Sequence, residues 1–259
     1  MAKPKIHKTT VIAAGAKFSD GVEIGPYCVI GKNVKLGKNT RLFSHIVIEE
    51  AEIGSDCAIY PFTSIGLPPQ DIKYTGEKTK VKIGNNNVVR EYITIHRASV
   101  DGDGVTKIGD NNFLMAYVHI AHDCDIGNNI IIANATTLAG HVIVEDFAFI
   151  GGMVAVHQFT RIGAYAMIGG FSGIPQDIPP YTTAAGERAK LYGLNTIGIK
   201  RRNFTDSSIA DLKKAYKILF RSKLTLKDAI SKIKSEIEPC EEVNYLLDFI
   251  EKNKRGICR

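Results

Sequence analysis

Residues 119 to 127 read HIAHDCDIG, with two histidines three apart, an aspartate beside the second, then a cysteine and a glycine. These residue types allow different chemistries. A neutral imidazole takes up a proton near neutral pH, so His122, oriented by Asp123, can serve as general base toward an attacking hydroxyl or amine. His119, His122 and His141 could instead hold zinc through ring nitrogens. The bland reading is a set of solvent-facing histidines on a repetitive scaffold. Spacing alone does not choose, because His-x-x-His followed by Cys resembles a fragment of a metal cluster. The chain has no G-x-S-x-G nucleophile motif, which favours direct transfer over a covalent acyl-enzyme. Cys124 falls where the repeat described next wants a small residue and reads as packing.

A period of six sets the elements that must position these groups. Ile6, Ile12, Phe18, Ile24, Ile30, Leu36, Leu42 and Ile48 follow one another at that interval. One step of five resets the frame to Ile53, Ile59 and Ile65; after a break come Ile83, Val89 and Ile95, and after another an unbroken series runs from Ile108 to Ile174. Neither a helix nor a half-buried strand has this period. It is the hexapeptide signature of a parallel β-helix, with each repeat one short strand plus a corner suited to Gly or Asn. If three repeats close one coil, residues eighteen apart stack about 4.8 Å from each other. Gly140 then lies over His122 and Gln158 over Gly140, flanked by His141 and His157 in LAGHV and AVHQF. A backbone N–H at Gly140 becomes a candidate oxyanion donor beside the base.

The frame is interrupted near 66–82 and 96–107, and these segments must leave the coil as loops; the first is the better candidate for binding. It ends after Ile174, where IPQDIPPY brings prolines that cannot continue a ladder. Helical spacing follows: Ile209, Leu212, Tyr216, Leu219 and Phe220 share a face, as do Leu226, Ile230, Ile233 and Ile237 behind a Thr225–Asp228 capping box, and Val243, Leu246, Leu247 and Ile250. The expected organisation is a mainly β chain, with a β-helix over 1–185 and a C-terminal segment and α-helical domain over 186–259.

The five cysteines are odd in number, scattered and never C-x-x-C, which suits a reducing compartment and predicts a cytoplasmic protein. No apolar export segment opens the chain, and no run approaches the ~18 apolar residues of a membrane span. The net charge of +6 favours anionic partners, but KRR at 200–202 is the one compact basic cluster, without the aromatic-plus-basic pattern of nucleic-acid binding.

HIAHDC, NATTLAGHV, IGGMVAVHQF, IGG at 168–170, QDIKYTGE, YITIHR and LNTIGIKRR closely resemble the UDP-N-acetylglucosamine O-acyltransferases, which carry out the first step of lipid A biosynthesis. The likeness runs nearly end to end, both loops and the helical tail included. It implies a left-handed parallel β-helix, against the usual right-handed crossover, assembled as a homotrimer with active sites between subunits. It implies transfer of a 3-hydroxyacyl group from acyl carrier protein to the 3-position of the glucosamine of UDP-N-acetylglucosamine, with no cofactor beyond the carrier's phosphopantetheine and no metal. Matched motif by motif, His122 is the general base, Asp123 its partner and Gly140 the oxyanion donor. Gln70 and Asp71 fall in the sugar-binding segment, and Lys73 lies by the acyl 3-hydroxyl. His119, His141, His157 and Gln158 match contacts to the sugar nucleotide or the pantetheine arm, Asn195, Arg201 and Arg202 the nucleotide-binding segment, and Gly170 the position that measures acyl length. Ile197 departs from the pattern, since some members carry Glu in that segment. The rival reading is a metal-dependent hydratase of the hexapeptide-repeat carbonic anhydrase type, although that group shows His-x4-His where this chain has His-x2-His. The acceptor atom, a 3-hydroxyl or a 3-amino group, and the acyl length stay open.

Overall fold

Every residue of the six-residue frame except Ile65 and Ile95 ends a strand, mostly of two residues, from Lys5–Ile6 to Gly173–Ile174 in a computed structural model that describes residues 3–259. The strands stack in parallel into three faces of a triangular prism. The register on the uninterrupted stretch is eighteen: His119 pairs with Thr137 and Thr137 with Ala155, while Phe113 pairs with Ile131 and Ile131 with Phe149. The coil is left-handed. Its inward aliphatics form one continuous buried column, including Ile120, Leu138 and Val156. Ile6 and Ile12 keep the frame but are 43% and 38% exposed, because their strands are the end strands of their faces and no described strand stacks beneath them.

The corners depart from expectation. Asn39, Asn86, Asn111 and Asn129 do take the left-handed backbone, but so do Tyr27, Phe62, Tyr92, Tyr117, Phe147, Phe159 and Tyr165, all with φ between 55° and 65°. That conformation costs an L-residue roughly 1–2 kcal/mol. Stacking offsets it: ring centroids lie 4.9 Å apart for Phe62–Tyr92, Tyr92–Tyr117 and Phe147–Tyr165, and an aromatic pair contributes about 0.5–1.5 kcal/mol beyond its buried area. The three edges of the prism are thus distinct. An aromatic corner carries Tyr92, Tyr117, Met153 and Phe171; an asparagine corner carries Asn111, Asn129, Phe147 and Tyr165; a base corner carries Asp123, His141 and Phe159.

The two loops leave the ladder over 68–79 and 97–104, because strands Lys80–Ile83 and Val105–Ile108 pair along four positions and hold the flanking residues in the prism. Four helices follow: α1 (Thr196–Lys200), α2 (Asp206–Arg221), α3 (Leu226–Glu236) and α4 (Glu241–Glu251). Thr205 and Thr225 cap α2 and α3 by accepting from the backbone N–H groups of Ser208 and Asp228. The helices bury Ile209, Leu212, Ile233, Leu246 and Phe249 against one another and seat on the prism, where the Arg161 guanidinium covers the Phe249 ring at 4.1 Å and the Tyr245 hydroxyl donates to Glu145 at 2.7 Å. Among the described residues the cysteines are free, and no helix is long and apolar enough to cross a membrane.

Candidate active site

His122 and Asp123 form the corner that follows strand His119–Ile120. Asp123 has φ 59°, a conformation Asp tolerates better than most residues, and its side chain is 3% exposed. One carboxylate oxygen, Oδ2, meets His122 Nδ1 at 2.9 Å and accepts the Ser99 N–H at 2.9 Å; the backbone N–H of Asp123 donates to Thr106 Oγ1 at 2.9 Å. With Nδ1–H donating to Asp123, the lone pair sits on Nε2, the form a general base needs. The other oxygen, Oδ1, is buried with no partner among the described residues.

Gly140 lies one coil on, beneath the imidazole. A Cβ at that position would be 2.6 Å from His122 Cε1 and 2.7 Å from Nε2, so no side chain fits there without moving the ring. The glycine has a second consequence. At the asparagine corner equivalent N–H groups are capped by the side chain one coil later: the Asp110 N–H donates to Asn128 Oδ1 and the Asn128 N–H to Asp146 Oδ1, each at 2.7 Å. Gly140 has no such cap to offer His122, and among the described residues its own N–H has no acceptor. A free backbone donor therefore sits against a fixed imidazole.

Three more histidines complete the cluster. The His141 ring stands perpendicular to that of His122 with centroids 5.3 Å apart, its Nε2 is 3.9 Å from Asp123 Oδ2, and its other face stacks on Phe159 at 4.5 Å. His119 Nδ1 pairs with Thr94 Oγ1 at 2.6 Å, and its ring meets His96 edge-on at 5.2 Å. Burial, then the neighbouring imidazoles, lowers the His96 pKa to about 4, and burial lowers that of His119. His96 is a residue that reading the sequence missed. It stands in YITIHR, but the loop shifts the register there to twenty-five, Thr94 pairing with His119, so stepping by eighteen never reaches it.

The first loop brings Asp71 to the same corner. Its carboxylate accepts from the Ser99 hydroxyl at 2.5 Å and from the Lys73 N–H at 3.0 Å. The Ser99 bond first, then the Lys73 N–H, hold the Asp71 carboxyl below its ordinary range, and the positive charge of a protonated His122 acts in the same direction. Lys73 reaches across to Asp101 at 2.9 Å, an ion pair that raises the ammonium pKa. Gln70 is exposed beside them. His122, Asp123 and His141 also present ligand atoms within 4.8 Å of one another. A carboxylate oxygen already holding an imidazole and a backbone N–H suits an orienting acid as well as it suits a metal.

Comparison with known proteins identifies the family and its reaction class. Residues 177–258 match the pattern described as UDP-N-acetylglucosamine O-acyltransferase, domain 2, and residues 3–38 and 105–140 match the bacterial transferase hexapeptide pattern. The chain is 68% identical over 256 residues to the acyl-[acyl-carrier-protein]--UDP-N-acetylglucosamine O-acyltransferase of Thermodesulfovibrio yellowstonii, covering 98% of this chain and 99% of that one. It belongs to that family. The protein of the same description from Syntrophobacter fumaroxidans is 51% identical, covering 98% of this chain and all of its own. The crystal structure of the Acinetobacter baumannii member superposes with a TM-score of 0.96 at 44% identity, covering 98% of this chain and 99% of that one. A UDP-N-acetylglucosamine O-acyltransferase family member is an acyltransferase, and the hydratase reading falls.

Of the other residues matched to the family's site, His157 and Gln158 continue the base corner one coil past Gly140, and the rest lie away from the base in this single chain. His157 and Gln158 are exposed, with Arg255 Nη2 donating to His157 Nδ1 at 2.7 Å. Gly170 precedes Phe171 at the aromatic corner, where an added Cβ would press on the Gly152 carbonyl oxygen at 3.2 Å. Asn195 spends both ends of its amide inside the fold, capping α1 through the Gly198 N–H at 3.0 Å and donating to the Tyr165 carbonyl at 2.9 Å. Arg201 is exposed, and the Arg202 guanidinium lies 4.6 Å from the centre of the Phe147 ring at the asparagine corner. Ile197 is exposed nearby. The fold of one chain therefore unites His122, Asp123, Gly140, His141 and Asp71, and puts Asn195, Arg201 and Arg202 at another edge.

Proposed function

We propose that this protein transfers a 3-hydroxyacyl group from acyl carrier protein to the 3-position of the glucosamine of UDP-N-acetylglucosamine, in the cytoplasm, as the first step of lipid A biosynthesis. The observation that carries the mechanism is the imidazole fixed by Asp123 over an uncapped Gly140 N–H. His122 Nε2 takes the proton of the acceptor hydroxyl as its oxygen attacks the thioester carbonyl. The resulting oxyanion accepts the Gly140 N–H, and collapse expels the pantetheine sulfur, which takes the proton back from His122. Asp71 and Gln70 hold sugar hydroxyls; Lys73 approaches the acyl 3-hydroxyl; His119, His141, His157 and Gln158 line the path of the sugar nucleotide and the pantetheine arm. No resident metal or further cofactor takes part.

Arg201, Arg202 and Asn195 reach this site only from a neighbouring copy, because within one chain they belong to a different corner from His122. That separation supports the homotrimer with shared sites. The test is to incubate purified protein with UDP-sugars bearing a 3-hydroxyl or a 3-amino group and a series of acyl carrier protein thioesters, with and without chelator, and to identify products by mass spectrometry. A 3-O-acylated UDP-N-acetylglucosamine formed equally with chelator is expected. Activity that is lost on metal removal and restored by zinc, or acylation of the 3-amino sugar alone, would overturn the reading.

A further inference from the structure

The two loops are tied to each other and to the base. Lys73 pairs with Asp101 at 2.9 Å, Arg97 donates to the Tyr74 hydroxyl at 3.0 Å, and Gly102 passes so close to Asp123 that any Cβ there would strike the carboxylate. Between these ties sits Ser99, 2% exposed. Its backbone N–H donates to Asp123 Oδ2, the oxygen that holds His122 Nδ1. Its hydroxyl donates to Asp71 Oδ2 at 2.5 Å.

We propose that Ser99 is a positioning residue with two outputs: its N–H fixes the acid that orients His122, and its hydroxyl fixes the carboxylate that receives the acceptor sugar. This rests on the function proposed above. An Asp side chain on a loop rotates unless something holds it. The Ser99 hydroxyl on Oδ2 and the Lys73 N–H on Oδ1 hold Asp71 from both sides, each oxygen keeping a further lone pair for a sugar hydroxyl. The division between backbone and side chain makes the two outputs separable. No side-chain substitution removes the N–H, so loss of the hydroxyl weakens sugar binding and leaves the His122–Asp123 pair in place. Threonine keeps the hydroxyl and restores what alanine loses. A purely structural role would behave differently, lowering kcat and KM performance together whatever stands at position 71.

The experiment measures initial rates against UDP-sugar, at saturating acyl carrier protein thioester, for Ser99→Ala and Ser99→Thr, each in the parent and in an Asp71→Asn background. Ser99→Ala should raise the UDP-sugar KM about tenfold, the scale of one charge-assisted hydrogen bond, with kcat within about twofold. Ser99→Thr should return KM to within about twofold of the parent. In the Asp71→Asn background Ser99→Ala should add less than about twofold, because the partner it acts through is already altered. An unchanged KM, failure of threonine to rescue, or an equal further loss in the Asp71→Asn background each overturns the proposal. His122→Ala, assayed in parallel, reads the base assignment alone: it acts on kcat, whereas the Ser99 result is decided on KM and its dependence on Asp71.

Discussion

A methyl group at position 140 would lie against His122 Cε1 and Nε2 at less than van der Waals distance, so Gly140→Ala must displace the imidazole. The ring stands at the surface of the corner and can swing outward, which puts the cost on catalysis and little on folding. Gly140→Ala and His122→Ala should each lower kcat by ~10²-fold or more, with thermal midpoints within a few degrees of the parent. Turnover within a few-fold of the parent in both would remove the pair from the mechanism. His96 makes a different prediction. Burial holds its pKa near 4 in the folded protein, while the unfolded chain protonates near 6.5. Between those values the unfolded state binds the extra proton, so stability falls as pH falls through that window, by up to about 1.4 kcal/mol per pH unit. His96→Gln should flatten this part of a denaturation-midpoint curve against pH; a curve parallel to the parent's would show that His96 titrates normally.

At the scale of the element, the aromatic corner carries strain and its compensation in the same residue. Tyr92 sits at φ 59° between Phe62 and Tyr117, stacked on both. Alanine there would lose the stack and keep the left-handed backbone, whereas glycine would lose the stack and the strain together. Tyr92→Gly should therefore be the more stable of the two by roughly 1 kcal/mol, the reverse of their order in helices and strands. Urea denaturation midpoints of the two variants measure it, and a more stable alanine variant would show that the corner carries no strain. The inward aliphatics were legible in the sequence because one buried side chain per six residues is what the coil requires. The corners were only half legible, since Asn and Gly announce a left-handed backbone and Tyr or Phe does not. Where the eighteen-residue register runs unbroken, stepping along the sequence is enough to bring Gly140 and His141 to His122 and Asp123. Across the loops the register becomes thirty for Ala58 with Val88 and twenty-five for Val88 with Phe113. Loop length hides that offset, and with it the places of His96 and Ser99.

At the scale of the whole molecule, the corner that carries His122 and the corner that carries Arg202 lie on different edges of one prism, so the proposed site takes one from each of two chains. The arrangement can be tested without a structure of the assembly. Arg202→Ala alone should raise the UDP-sugar KM more than it lowers kcat, because a guanidinium beside a diphosphate serves binding in ground and transition state alike. His122→Ala alone should be nearly inactive. If the two chains are unfolded together and refolded as mixed forms of the proposed trimer, each proposed site draws its histidine from one chain and its arginine from the next. Random mixing at equal amounts then gives roughly one site in four with both native residues. Assayed at UDP-sugar well below the Arg202→Ala KM, the mixture should recover roughly a quarter of parent activity, far above the mean of the two variants refolded separately. Were both residues to serve a site within a single chain, every chain would keep one lesion, and the mixture would equal that mean. The amount recovered therefore reports directly on whether a site spans two chains, and activity no higher than the mean would show that His122 and Arg202 do not meet in a site shared between chains.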